Sequence, residues 1–305
     1  MNRKDISGRQ NRGKQEKMKK KQNMLYMGLL LPAIILFAVF FIVPVGQSMW
    51  LSFTDSYGMK TSYNLIGWQN YKEAFSDRTF MKTIGVTLKY TAIAVIIGNI
   101  LSLILAFILD AKIRFKSLLR TFFFIPNIMS LLVVGYIWCF VYKQVIPDVF
   151  ALLGLKEIAV LGNKNTVIWA LAAVGIWNVA GYYMVIYIAA LQGISDDLIE
   201  ASRIDGASTW QVLRYIKLPL IAPTICTCLI LSVAAHMKIF ELPYTMTSGG
   251  PVGASATMVY KIYMTAFNAN RNGYASAQSM VLFLLIGGIS LVLNVIMKKK
   301  EEKIQ

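Results

Sequence analysis

The sequence predicts an all-α integral membrane protein with six transmembrane helices, and three observations predict it. The 305 residues are 56% hydrophobic and only 15% charged, where a soluble domain carries about a quarter charged residues. The mean hydropathy is +0.56. The apolar residues gather into six runs, each close to the ~20 residues that cross a hydrocarbon core of ~30 Å. This composition excludes a disordered chain and argues against a soluble enzyme. In a soluble protein the net charge of +16 would suggest a nucleic-acid partner. In a membrane protein the charge is read by its position relative to the apolar runs, and no nucleic acid is implied.

The runs are Leu25–Gly46, Leu88–Leu109, Thr121–Tyr142, Val167–Leu191, Leu218–Phe240 and Met280–Met297. The first is too long for a cleavable signal, lacks a small-x-small cleavage pattern and carries Pro32 and Pro44. The last is short and can begin earlier, near Ala275. Pro126, Pro219 and Pro223 remove backbone donors at span edges and are expected to shape bends. Cys139, Cys226 and Cys228 all lie in apolar stretches. An odd count without a C-x-x-C pair gives neither a disulfide framework nor a metal site. They read as small buried hydrophobes.

Charge then sets the expected orientation. Of 31 Lys and Arg residues, 20 fall in Met1–Gln22, Asp110–Arg120, Gln192–Lys217 and Lys298–Gln305, and nine in the longer alternate connections. The positive-inside rule puts the first set, and both termini, in the cytoplasm. The chain is thereby divided into a basic tail (1–22), a six-span domain (23–297) and a second basic tail (298–305). The segment Arg3–Lys21 is expected close to anionic headgroups of the bilayer. Lys89 and Lys238 sit at span edges, where a lysine either snorkels outward or lines a cavity. Tyr57, Tyr63, Trp68 and Tyr71 are interfacial aromatics of the first outer connection.

Gly8 to Gln15 nearly spells a phosphate-binding loop, with Gly13-Lys14 in place. Gln15 stands where Ser or Thr must reach magnesium, and no strand precedes it. If ATP drives this protein, another subunit binds it.

The connection 192–217 is different in kind. Ser195 is positioned to cap a helix whose first turn holds Asp196 and Asp197, facing the positive end of the macrodipole. Leu198, Ile199, Ala201 and Ile204 give that helix an apolar surface, and Gly206 ends it. Ser208 to Gln211 has capping-box form and starts a second helix, which Leu218-Pro219 leads into the membrane. It carries four acids to three bases, against the trend of the inner segments. On physical grounds alone it reads equally well as a surface helix that closes a loop or as a docking element.

These residues carry a resemblance. Glu200-Ala201-Ser202, Asp205-Gly206-Ala207 and then Ile216-Lys217-Leu218-Pro219 resemble the EAA loop of permease subunits of ABC importers. The pattern is E-A-A-x-x-x-G followed by I-x-L-P. Ser202 replaces the third Ala, and Leu213 stands where Phe is expected. Further similarities, in family order, point to the sugar-type branch of the maltose and glycerol-phosphate permeases. They are Ser52-Phe53-Thr54, Gly67-Trp68-Gln69-Asn70-Tyr71, Arg120 to Pro126, Thr247-Ser248-Gly249-Gly250-Pro251, then Tyr260, Tyr263, Phe267 and Gly273 to Ala277. Glu241 replaces the usual Asp after Phe240.

The resemblance implies a type I ABC importer permease fold in a bacterial inner membrane. It implies that the 192–217 loop is a coupling helix seated in a cleft of a cytoplasmic ATPase, with Glu200 paired to a base there and Gly206 allowing the turn. The implied partners are a second homologous permease, a dimer of the ABC ATPase and an extracytoplasmic sugar-binding protein. No cofactor is expected in this chain; ATP and magnesium would sit on the ATPase.

Polar side chains within spans are costly and mark candidate substrate paths. The fourth span offers Trp177, Asn178 and Tyr182, and the fifth Ser232 and the sole histidine, His236. Asn178 and Tyr182 are spaced i, i+4, as are Ser232 and His236, so each pair shares a helix face. For a sugar, Trp177 and Tyr182 would supply rings and Asn178, Ser232 and His236 hydrogen bonds. The same residues equally serve as hydrogen-bonding links between helices. A secondary transporter driven by an ion gradient is the alternative. It would want buried carboxylates, and the runs offer only edge residues such as Asp110 and Glu241. A membrane-embedded enzyme would need a catalytic set that one histidine does not provide.

Overall fold

The computed structural model describes residues 26–60, 62–111, 114–154 and 159–301. The basic tail 1–22 and the near-miss phosphate loop lie outside the described residues. The chain is helical, with a single isolated antiparallel bridge, Thr54 to Leu65, among the described residues. The helices are α1 (Tyr26–Leu51), α2 (Gln69–Ser76), α3 (Arg78–Asp110), α4 (Lys116–Ile128), α5 (Leu131–Leu152), α6 (Val167–Gln192), α7 (Asp196–Ile204), α8 (Thr209–Leu220), α9 (Ala222–Met237), α10 (Met258–Tyr263) and α11 (Asn272–Glu301).

Three π-helical turns have one cause. Ala38–Ile42, Val141–Val145 and Leu213–Lys217 each end two residues before a proline, Pro44, Pro147 and Pro219. Proline brings no N–H, and its ring crowds the carbonyl of the preceding turn. In each case the residue before the proline donates one step further back: Val43 to Ala38, Ile146 to Val141, Leu218 to Leu213. The widened turn absorbs the proline without ending the helix.

The core is built on α3 and α6, which run parallel and touch along their length. α6 is the most enclosed of the apolar helices, with 67% of its most apolar window buried. Two glycines make its close contacts possible. A Cβ at Gly175 would strike the Tyr90 hydroxyl, and one at Gly181 would strike the backbone carbonyl of Phe123 in α4. Small residues let membrane helices approach at backbone distance, where dispersion replaces the missing hydrophobic driving force. By contrast, no residue of α1 is buried; only its last segment, Val43–Leu51, packs on α11.

Two expected spans are corrected. The run Thr121–Tyr142 is not one helix. α4 ends at Ile128, Met129 and Ser130 are extended with ψ of 141° and 127°, and α5 begins at Leu131. Pro126, inside the last turn of α4, deprives that turn of a donor and favours the stop. The run Leu218–Phe240 is also broken. The 16-residue α9 meets α8 at Ile221 with a bend of 64°. Among the described residues, five helices are therefore long and apolar enough to cross a membrane, or six if the bent α8–α9 pair counts as one. The second span is longer than expected: α3 has 33 residues and starts at Arg78 rather than Leu88. The sixth also starts earlier, at Asn272.

Polar ties close the two ends of the bundle. At one, the basic end, Lys217 Nζ pairs with Asp110 Oδ2 at 2.9 Å, and Arg120 donates to the Leu109 carbonyl at 2.9 Å. At the other, the loop end, the Asn70 amide donates to the Ser52 and Thr54 carbonyls at 2.9 and 2.8 Å. Ser52 Oγ and Tyr71 Oη lie 2.7 Å apart, and Phe53 meets the rings of Trp68 and Tyr71 at 5.1 and 5.5 Å. Gly273 lies so close to the Thr54 carbonyl that a Cβ would collide with it. Arg271 forks onto both Glu73 oxygens at 2.6 Å and covers the Tyr274 ring at 4.5 Å. Tyr274 in turn donates to Asp77 Oδ2 at 3.1 Å. Burial pushes the Asp77 carboxyl up, but hydrogen bonds from the Thr79 and Phe80 amides and Tyr274 outweigh it and hold it below its ordinary value of 3.8.

Candidate functional site

The helix–Gly–helix element protrudes at the basic end. α7 opens at Ser195, whose backbone is extended (ψ 133°) as a cap requires. Its side chain makes no capping hydrogen bond, which corrects the expectation that it caps the helix. The paired Asp196 and Asp197 do occupy the first turn. α7 ends in a glycine-centred turn. Gly206 has φ +83°, and the Ala207 N–H reaches back to the Ser202 carbonyl at 3.0 Å. This is the left-handed closure that glycine adopts without a Cβ penalty. The capping box is formed: Gln211 N–H donates to Ser208 Oγ at 3.3 Å, and Ser208 N–H to Gln211 Oε1 at 2.7 Å.

Glu200, Ala201, Asp205 and Gly206 are exposed, while Ser202 and Ala207 are half-buried. Large apolar side chains stand out beside them: Ile204 is 86% exposed, Trp210 67% and Tyr215 73%. Val212 alone of this segment is buried. Leu218 and Pro219 form the end of α8 that turns through the bend into α9. The Lys217–Asp110 pair anchors that end to α3.

The five polar residues of the fourth and fifth spans differ in exposure and in partners. Trp177 and Tyr182 are 41% and 40% exposed on α6. Trp177 stands edge-on to Trp138 at 5.6 Å and lines an apolar cavity of 550 Å³ bounded by α3, α4 and α6. Asn178 is buried, and its amide donates to the Pro126 carbonyl at 2.6 Å. Ser232 and His236 are also buried. His236 Nδ1 lies 2.8 Å from the Ser232 carbonyl, which only accepts, so Nδ1 carries the proton. The His236 ring packs on Tyr90 at 5.9 Å.

Several structural roles were not foreseen from sequence. Asn70 and Tyr71 lie in the G-x-x-N-Y segment and tie α2 to the chain after α1. Arg120 and Pro126, the ends of the R-x-x-x-x-x-P segment, bind α3 and α6 respectively. In the T-x-G-G-P segment, Thr247 meets Ser255 Oγ at 2.7 Å, Ser255 donates to the Gly250 carbonyl at 2.6 Å, and Gly250–Pro251 is cis. The quoted motifs were the signal for these positions; their partners were not.

An all-helical bundle with apolar spans, a bent span at one end and an exposed helix–Gly–helix element beside it defines a membrane permease subunit. The chain belongs to the family described as binding-protein-dependent transport system inner membrane component, whose model matches residues 98–299. It is 35% identical to the multiple sugar-binding transport system permease protein MsmF of Streptococcus mutans, over 90% of this chain and 94% of that one. It is 32% identical to the probable starch degradation products transport system permease protein AmyD of Thermoanaerobacterium thermosulfurigenes, over 92% and 96% of the two chains. Its fold matches a chain of a bacterial alginate ABC transporter, with a TM-score of 0.81, 21% identity, and 93% and 97% of the chains covered.

Proposed function

We propose that this chain is the membrane-spanning permease subunit of an ATP-driven, binding-protein-dependent carbohydrate importer, forming half of its translocation path. The sugar transport systems named for MsmF and AmyD support the solute class. In this reading the basic end faces the cytoplasm, with both termini there, and the loop end meets an extracytoplasmic sugar-binding protein. A second, homologous permease completes the path. Two ATPase subunits bind ATP and magnesium, and this chain makes and breaks no covalent bonds.

One observation carries the coupling role. The element holding Ile204, Trp210 and Tyr215 is exposed yet anchored. Apolar patches of this kind on an otherwise polar surface mark protein contacts. Glu200 and Asp205 would face bases on the ATPase, and Ala201, Ser202, Gly206 and Ala207 let its surface approach. Because α8 continues through Leu218 and Pro219 into α9, a push on the element reaches the membrane helix directly. α9 and α6 carry Ser232, His236, Asn178, Trp177 and Tyr182. Trp177 and Tyr182 serve as the rings that meet a sugar. Asn178, Ser232 and His236 hold the wall behind them.

The test is purification and transport. Tagged chain is expected to bring down an ATP-binding subunit and to show no ATPase activity alone. Glu200→Arg combined with Gly206→Trp is expected to abolish uptake while the chain still inserts. Full uptake by that variant would remove the coupling role. His236→Ala is expected to impair uptake with assembly intact; unchanged uptake kinetics would deny His236 a part in the wall of the path.

A further inference from the structure

We infer that a basic cavity at the loop end binds the carboxylate or phosphate group of the carried solute, so that the importer takes an acidic saccharide. The inference rests on the importer reading above and names its substrate class. The cavity has a volume of 670 Å³ and lies between the start of α3, the start of α6 and the loop at Pro251–Ala254. That is within the roughly 300–1,000 Å³ of small-molecule sites. Three lysines line it, Lys82, Lys89 and Lys164, and no carboxylate does.

Two of the three lysines have no structural partner among the described residues. Lys82, Gly85, Val86 and Lys89 recur at i, i+3, i+4 and i+7, so they form one stripe of α3 facing the cavity. Lys82 Nζ donates to the Val252 carbonyl at 2.6 Å and holds the loop over the opening. Lys89 and Lys164 make no hydrogen bond or ion pair among the described residues. Three like charges lining one cavity with no carboxylate among them favour an oxyanion there.

Depth distinguishes a small solute from a docked protein. α3 rises about 1.5 Å per residue, which puts Lys89 about 16 Å from the start of the helix and about 10 Å below Lys82. Lys89 therefore sits where the apolar run from Leu88 begins, and buried Ile168 of α6 lies beside it. Lys89 is itself exposed at the cavity, and a lysine at the start of an apolar run is characteristic of solute and ion paths. A sugar acid or sugar phosphate enters such a cleft with its anion leading, whereas a folded partner rests on the rim.

The test uses the chain in phosphatidylcholine nanodiscs, alone and in the assembled importer, titrated by saturation-transfer NMR with glucuronate, glucose phosphate and uncharged methyl glucoside. The anionic probes are expected to bind and the uncharged one to bind much more weakly. Lys89→Gln with Lys164→Gln is expected to weaken anion binding by about tenfold, as loss of two charge contacts does. Equal binding of charged and uncharged probes, or an unaffected double variant, would overturn the inference. So would loss of anion binding when phosphatidylglycerol is added to the disc, which would assign the cavity to lipid headgroups. A double variant that binds the probes normally but no longer holds the binding protein would assign the lysines to docking. Failure of the ATPase to co-purify would overturn the importer reading, whatever the probes do.

Discussion

Asn178 separates a wall residue from a solute-contacting one. Its amide donates to the Pro126 carbonyl at 2.6 Å, where α4 has ended and its last carbonyls have no helical partner. Replacing Asn178 with Ala removes that donor from a buried site. A fully orphaned buried acceptor costs ~1–3 kcal/mol. Here the carbonyl keeps a second donor, the Met129 N–H at 3.3 Å. Inter-helix hydrogen bonds in membranes are worth about 0.6 kcal/mol on average and reach about 1.7 kcal/mol. The expected loss is therefore about 1 kcal/mol, roughly a fivefold shift in the folding equilibrium. The assay is reversible SDS unfolding in mixed micelles, followed by tryptophan fluorescence, with uptake measured in parallel. Asn178→Ala is expected to destabilise by that amount while solute affinity stays within error. Unchanged stability with altered solute affinity would refute the reasoning and return Asn178 to the path itself.

Three further outcomes follow from the geometry. Lys217→Asp breaks the 2.9 Å pair with Asp110 and brings two carboxylates together, so uptake coupled to ATP hydrolysis is expected to fall; the double swap with Asp110→Lys restores it, and no rescue would deny the pair its anchoring role. Gly273→Ala drives a Cβ into the Thr54 carbonyl, backbone against backbone, and is expected to cost about 1–3 kcal/mol, read as a lowered melting temperature of the detergent-solubilised chain. Asp77→Asn keeps a capping oxygen at the start of α3 but removes the negative charge that faces the helix N-terminus and accepts from Tyr274. Because the folded-state pKa of Asp77 is depressed, its contribution is present above the ordinary value of 3.8 and fades as pH falls through the lower folded value. The melting difference between wild type and variant is expected to shrink over that interval, and a difference independent of pH would contradict the assignment.

The helical membrane class, the family and the helix–Gly–helix element were legible because each is a local property. Apolar run length, the 3.6-residue period and a Ser-x-x-Gln cap are all written in contiguous residues. The misread spans show where locality fails. The run Thr121–Tyr142 is apolar throughout, so hydropathy gives no sign of the stop at Met129. At that stop the side chain of Asn178, 52 residues away, donates to the Pro126 carbonyl, a partner that no local pattern shows. Ser195 has the right residue type for a cap, but its side chain makes no bond.

The path residues show the same limit. Spacing placed Asn178 and Tyr182 on a common face, yet one is 6% exposed and the other 40%. Which part of that face meets a neighbouring helix depends on how α4 and α6 cross at Gly181.

The sequence by itself determined that the chain is a bundle of apolar helices, that its bases are unequally shared between alternate connections, and that one connection forms a helix–Gly–helix element. Those follow from transfer free energies and local hydrogen bonding, which need no partner distant in sequence. Only the tertiary structure decided which helices break, which polar groups face each other, and that Lys82, Lys89 and Lys164 line one cavity. The reason is that Lys164 and Lys89 are far apart along the chain. They meet because parallel packing of α3 on α6 brings the starts of both helices to the same end.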